Sequence, residues 1–151
     1  MRIIHDLEIK NMLKMAADAF DRAYAPYSNY RVGACLKGST GAYYLGGNIE
    51  NSSYGATICA ERVALSKAVY EGEKEFDALA IFTDDKSPTP CGICRQSLTE
   101  FCDPEMPIIC GSKDGSYKVY SLGELFPSPF LLKSDKETIE HSEEVKEDTY
   151  E

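Results

Sequence analysis

Histidine is nearly missing from this chain: His5 and His141 are the only two in 151 residues. A histidine-rich metal site is not expected, which turns attention to the cysteines. No apolar run approaches the roughly 18 residues that would suggest a membrane span. Met1 to Asn11 mixes charges with single apolar residues and has no secretory hydrophobic region. Basic residues are also in short supply, with 16 Lys and Arg against 25 Asp and Glu and a net charge of -9. A surface that follows a phosphate backbone needs clustered Lys and Arg, so a nucleic-acid partner is not expected. There is no internal repeat, and the expectation is a single cytoplasmic domain without membrane contact.

What is present suffices for a core. Hydrophobic residues make up 43% of the chain and charged ones 27%, ordinary values for a globular protein. The acid is unevenly placed. Residues 133–151 hold eight acidic residues and three lysines, a net of -5. The expected division is a domain over 1–132 and a mobile acidic tail over 133–151, which has little to bury.

Asp6 is placed to cap a first helix, whose apolar residues Ile9, Met12, Leu13, Ala16, Ala17, Phe20 and Tyr24 follow the 3.6-residue period. Pro26 ends it. Arg31 to Lys37 and Ala42 to Leu45 read as two strands of a hairpin. Gly46-Gly47-Asn48-Ile49-Glu50-Asn51 reads as a loop, being polar and rich in glycine. A helix from Cys59 to about Glu71 follows, then a buried strand from Asp77 to Thr83. Helix Gly92 to Phe101, strands Pro107 to Cys110 and Tyr117 to Tyr120, and a brief helix Leu122 to Leu125 complete the order. This α-β-β-α-β-α-β-β sequence predicts a mixed sheet of about five strands in a three-layer α/β/α sandwich.

Six cysteines in a chain without a secretion signal suggest metal binding or burial before disulfides. Cys35, Cys102 and Cys110 lie in apolar or helical surroundings and read as buried thiols. The other three form a two-part pattern, Cys59-Ala60-Glu61-Arg62 and Pro90-Cys91-Gly92-Ile93-Cys94-Arg95-Gln96. Cys91 and Cys94 share a helical face. Cys59 and Cys91 fall at helix starts, where free N–H groups favour anionic sulfur. His5 precedes the first helix and His141 lies in the acidic tail, and a spare cysteine as fourth ligand has no motif spacing; three thiolates and an open position are the catalytic rather than the structural arrangement of zinc.

An open zinc activates water, and Glu61, two residues from Cys59, can move its protons. On its own Glu61 would read as an ordinary acidic residue of a first turn. Arg62 and Arg95, each beside a ligand, are candidates to donate hydrogen bonds to sulfur and draw off the negative charge of three thiolates. Cys-x-Glu followed by Pro-Cys-x-x-Cys is the three-cysteine signature of zinc deaminases.

From Asp18 to Phe130 the chain resembles the cytidine deaminase family, in its small homotetrameric form. The matching pieces are Tyr24-Ala25-Pro26-Tyr27-Ser28, Val32-Gly33-Ala34, Gly47-Asn48-Ile49-Glu50-Asn51 and the two cysteine motifs. The resemblance implies hydrolytic deamination of cytidine and 2′-deoxycytidine to uridine and 2′-deoxyuridine with release of ammonia, a step of pyrimidine salvage. It implies one Zn²⁺ per subunit on Cys59, Cys91 and Cys94, with Glu61 as the proton shuttle. Asn48 and Glu50 would hold the ribose 3′-hydroxyl, which suits an amide and a carboxylate. The Ala60 backbone would face the base carbonyl and the Thr89 carbonyl the leaving amine. Tyr30 would pack near the nucleoside, where the family usually has Phe. Tyr54 and Phe130 would reach a neighbouring subunit's site in a homotetramer with shared active sites.

Two other readings compete. A blasticidin S-type antibiotic deaminase shares the zinc motifs, but Glu50 and Arg62 favour the nucleoside enzyme. A non-catalytic zinc-stabilised interaction module would bind metal without turnover.

Overall fold

A computed structural model describes residues 1–85 and 88–132. The acidic segment 133–151, expected to be a tail, lies outside the described residues. Helix α1 spans Asp6–Phe20 and buries Ile9, Met12, Ala16 and Ala19, one face at helical spacing. It stops four residues before Tyr24, and Asp6 is its first residue rather than its cap. His5 stands at the cap position without a side-chain bond to the helix.

Five strands follow: β1 Gly33–Gly38, β2 Tyr43–Gly47, β3 Phe76–Thr83, β4 Pro107–Ser112 and β5 Tyr117–Ser121. They form one sheet in the order β2-β1-β3-β4-β5. Only β3 and β4 pair in parallel, so the sheet is mixed as expected. The central β3 buries residues of both its faces, which explains its near-continuous apolar sequence.

The three remaining helices among the described residues are α2 Ala60–Tyr70, α3 Gly92–Thr99 and α4 Leu122–Leu125. One core, under α1, gathers Met12, Ala16, Cys35, Ala80 and Ile109. The other, on the face covered by α2, α3 and α4, gathers Ala64, Leu79, Ile81, Leu98 and Ile108. The chain is therefore a three-layer α/β/α sandwich. Ser121 and Glu124 form a reciprocal capping box that starts α4 directly from β5.

The glycine-rich stretch after β2 behaves differently from its expectation. Gly46 and Gly47 belong to the strand rather than to a loop. Their reason is close approach: a Cβ on Gly46 would stand 2.3 Å from the Ala60 carbonyl oxygen and 2.6 Å from the Ala64 nitrogen. The first turn of α2 thus rests on bare strand backbone. Beyond Gly47 the chain does become a loop, tied by bridges from Ile49 to Tyr24 and Ile58. A single 3-10 turn at Tyr54–Ala56, not anticipated from the sequence, leads into Cys59.

Candidate metal centre

The fold brings two helix starts together. Cys59 precedes α2 and Cys91 precedes α3, both in extended backbone, and neither side chain caps its own helix. Cys94 lies in the first turn of α3 and is fully buried. The three sulfurs all lie within 4.8 Å of one another. Cys59 and Cys91 are 3.8 Å apart at sulfur. That is the edge of a tetrahedron whose arms are the zinc–thiolate bond of about 2.3 Å. The three cysteines are positioned to bind one zinc ion.

Cys59 is pushed down to about 5, first by the hydrogen bond from the Cys94 thiol and then, against burial, by Arg62 and Cys91. Cys94 is pushed up, first because it is the donor to Cys59. A cation held by the three sulfurs would favour their deprotonated forms. Nη2 of Arg62 reaches the Cys59 sulfur at 3.9 Å and the Thr57 carbonyl at 3.3 Å. Among the described residues its buried Nε has no partner. Arg62 therefore brings positive charge to the Cys59 sulfur.

Arg95 is turned elsewhere. Its Nε donates to the Pro90 carbonyl at 2.7 Å and Nη1 donates to the Leu125 carbonyl. It braces the loop before Cys91 against the end of α4. Gln96 extends this brace, donating from Nε2 to the Phe130 carbonyl at 2.8 Å.

Glu61 is 5% exposed, and its Oε2 lies 3.5 Å from the Cys94 sulfur. Burial raises its pKa, and the negative Cys59 beside it adds to the rise. A carboxyl that holds a proton more readily than usual suits proton transfer. Ala60 is fully buried, whereas Thr89 is exposed beside the buried Pro90.

Asn48 is 8% exposed and satisfied at both ends of its amide. Its Oδ1 accepts from the Val32 N–H and its Nδ2 donates to the Tyr30 carbonyl, both at 2.8 Å. Glu50 accepts at Oε1 from the N–H groups of Tyr27 (2.9 Å) and Ser28 (3.1 Å). The Ser28 hydroxyl donates to Oε2. These bonds, the hydroxyl's first, hold the Glu50 carboxyl below the usual carboxylate range. Ser28 belongs to the Tyr24-Ala25-Pro26-Tyr27-Ser28 motif, but the sequence assigns it no task.

Tyr27, Ser28, Glu50, Tyr54 and Thr57 line a cleft of about 360 Å³. Tyr27 and Tyr54 meet edge to face, their centroids 6.4 Å apart. Tyr30, Tyr54 and Phe130 are 46%, 79% and 70% exposed. A second cavity of about 420 Å³ opens at the other end of β3, beside Arg2, Glu8, Lys37 and Asp77. Its charges pair with one another, Lys37 with Glu8 and Arg2 with Asp77.

A sheet that sets three cysteine sulfurs and a buried glutamate at adjoining helix starts defines a zinc-dependent deaminase. Residues 7–110 match the model of the cytidine and deoxycytidylate deaminase zinc-binding region. The chain is 40% identical over 125 residues to a cytidine deaminase of Sporosarcina psychrophila, covering 82% of this chain and 92% of that one. It is 42% identical over 123 residues to one from Halalkalibacterium halodurans, with coverage of 81% and 93%. A crystal structure of cytidine deaminase from Burkholderia pseudomallei superposes with a TM-score of 0.78 at 37% identity, over 85% of this chain and all of that one. The chain belongs to the cytidine deaminase family.

Proposed function

We propose that this enzyme hydrolyses cytidine and 2′-deoxycytidine to uridine and 2′-deoxyuridine, releasing ammonia. The observation that carries the reading is Glu61, buried and 3.5 Å from the sulfur of Cys94 in the three-cysteine cluster. Zinc held by Cys59, Cys91 and Cys94 would supply the Lewis acid that makes water a nucleophile at neutral pH. Glu61 takes one proton from that water and delivers it to N3 of the base, then takes the proton remaining on the added oxygen and passes it to the departing amine. Arg62 lessens the charge of the three thiolates.

Asn48 and Glu50 hold the ribose hydroxyl, the backbone of Ala60 faces the base carbonyl, and the Thr89 carbonyl accepts from the leaving amine. Tyr30 packs near the nucleoside. The exposure of Tyr54 and Phe130 supports a homotetramer in which each reaches a neighbouring subunit's site. Among the described residues no helix is long and apolar enough to cross a membrane, which fits a cytoplasmic place for the enzyme.

The test is an ultraviolet assay on cytidine, deoxycytidine and blasticidin S. Turnover of the two nucleosides supports the reading. Activity on blasticidin S alone would assign the antibiotic-directed enzyme, and zinc without any turnover a structural module.

A further inference from the structure

The loop between α1 and β1 and the loop after β2 close into one hydrogen-bonded circuit, and Ser28 is its hub. The Ser28 hydroxyl donates to Oε2 of Glu50 and accepts from the Tyr30 N–H at 3.0 Å. From Tyr30 the circuit continues through its carbonyl to Asn48 and on to the Val32 N–H. Main-chain bonds close the other side, from Tyr24 N–H to the Asn48 carbonyl and from Glu50 N–H to the Tyr24 carbonyl, both 2.8 Å. Asn29, between Ser28 and Tyr30, has φ +58°, alone in the left-handed region among the described non-glycine residues. That turn lets one hydroxyl serve both neighbours.

We propose that Ser28 is a positioning residue for the sugar end of the substrate. This inference rests on the proposed contact of Glu50 with a ribose hydroxyl. A carboxylate has about four lone-pair sites. The Tyr27 and Ser28 N–H groups occupy Oε1, and the Ser28 hydroxyl holds Oε2 with lone-pair capacity to spare, in a side chain that lines the cleft. The same hydroxyl sets the start of the Tyr30 backbone, and so fixes the ring beside the nucleoside. Without it Glu50 keeps its charge and two backbone donors but can swing at Oε2. Ser28 then acts on binding and leaves the metal and Glu61 untouched.

The experiment compares Ser28→Ala, Ser28→Thr and Glu50→Gln on cytidine and on 2′,3′-dideoxycytidine, which lacks the 3′-hydroxyl. Ser28→Ala should raise KM for cytidine about tenfold with kcat changed less than twofold. Ser28→Thr, which keeps the hydroxyl, should restore most of that loss. On the dideoxy substrate the alanine penalty should shrink to less than twofold, because the contact being positioned is gone. A lesion that merely disordered the loop would weaken both substrates alike and would overturn the proposal. So would an unchanged KM in Ser28→Ala while Glu50→Gln raises it. If Glu50→Gln itself leaves KM for cytidine unchanged, the ribose contact fails, and the proposal with it. Zinc content and melting temperature of Ser28→Ala should match the wild type; a loss of zinc would also count against it.

Discussion

Oε2 of Glu61 lies 3.5 Å from the sulfur of Cys94, so the buried acid and a metal ligand are immediate neighbours on different helices. Each can be removed separately, and the consequences differ. In Glu61→Gln the amide keeps the volume but cannot carry the proton. Turnover should fall by about 10²–10⁴-fold, while metal analysis still finds one zinc per chain.

Cys91→Ala should have the opposite signature. Two sulfurs no longer enclose the ion, and metal binding is coupled to folding. Zinc should be lost in metal analysis, and the melting temperature should drop by about 5–10 °C. A variant retaining zinc and full stability would show that Cys91 is not a ligand.

Arg95 predicts a mechanical effect. Its bonds to the Pro90 and Leu125 carbonyls hold the loop before Cys91 against α4. Arg95→Ala should cost about 2–3 kcal/mol in urea unfolding, since hydrogen bonds to a charged donor are the stronger kind. Zinc should also pass to a chelator faster than from the wild type. Arg62→Ala, by contrast, removes charge beside Cys59 and should slow turnover more than it lowers stability.

A pH dependence belongs to the far end of the sheet. Burial alone would raise the pKa of Glu8, but bonds from Tyr43 and Lys37 outweigh it and the pKa is lowered. Lys37 is raised, first by its bond to Glu8. The Glu8 contribution is therefore present above its unfolded value of about 4.3 and is lost as pH falls through the folded value. The Lys37 contribution is present below about 10.4 and is lost as pH rises through its own folded value. Both side chains remain about a quarter exposed. Glu8→Gln should cost only about 0.5–1 kcal/mol at pH 7. The gap from wild type should narrow below about pH 4, measured by urea unfolding across pH.

The three cysteines are legible because each half of their pattern is local: Cys91 and Cys94 share the start of α3, and Cys59 stands at the start of α2. The alternation of Val32, Ala34 and Leu36 and the apolar run through Ile81 likewise announce strands that the sheet contains. Gly46 and Gly47 read as loop in the sequence but lie in β2, because glycine serves both turns and close packing. Which of the two applies depends on α2, which follows later in the chain. Arg95 adjoins Cys94 in sequence and so reads as a candidate donor to sulfur, yet the carbonyl of Leu125, 30 residues away, claims it. Partners so remote in sequence leave no local pattern to read.

The contact at Gly46 has one more outcome. Ala60 and Ala64 sit on main-chain atoms, so the height of the Cys59 end of α2 above the sheet is set by the polypeptide backbone. A side chain added at Gly46 would therefore push the first turn of α2 off the sheet and carry Cys59 away from Cys91 and Cys94.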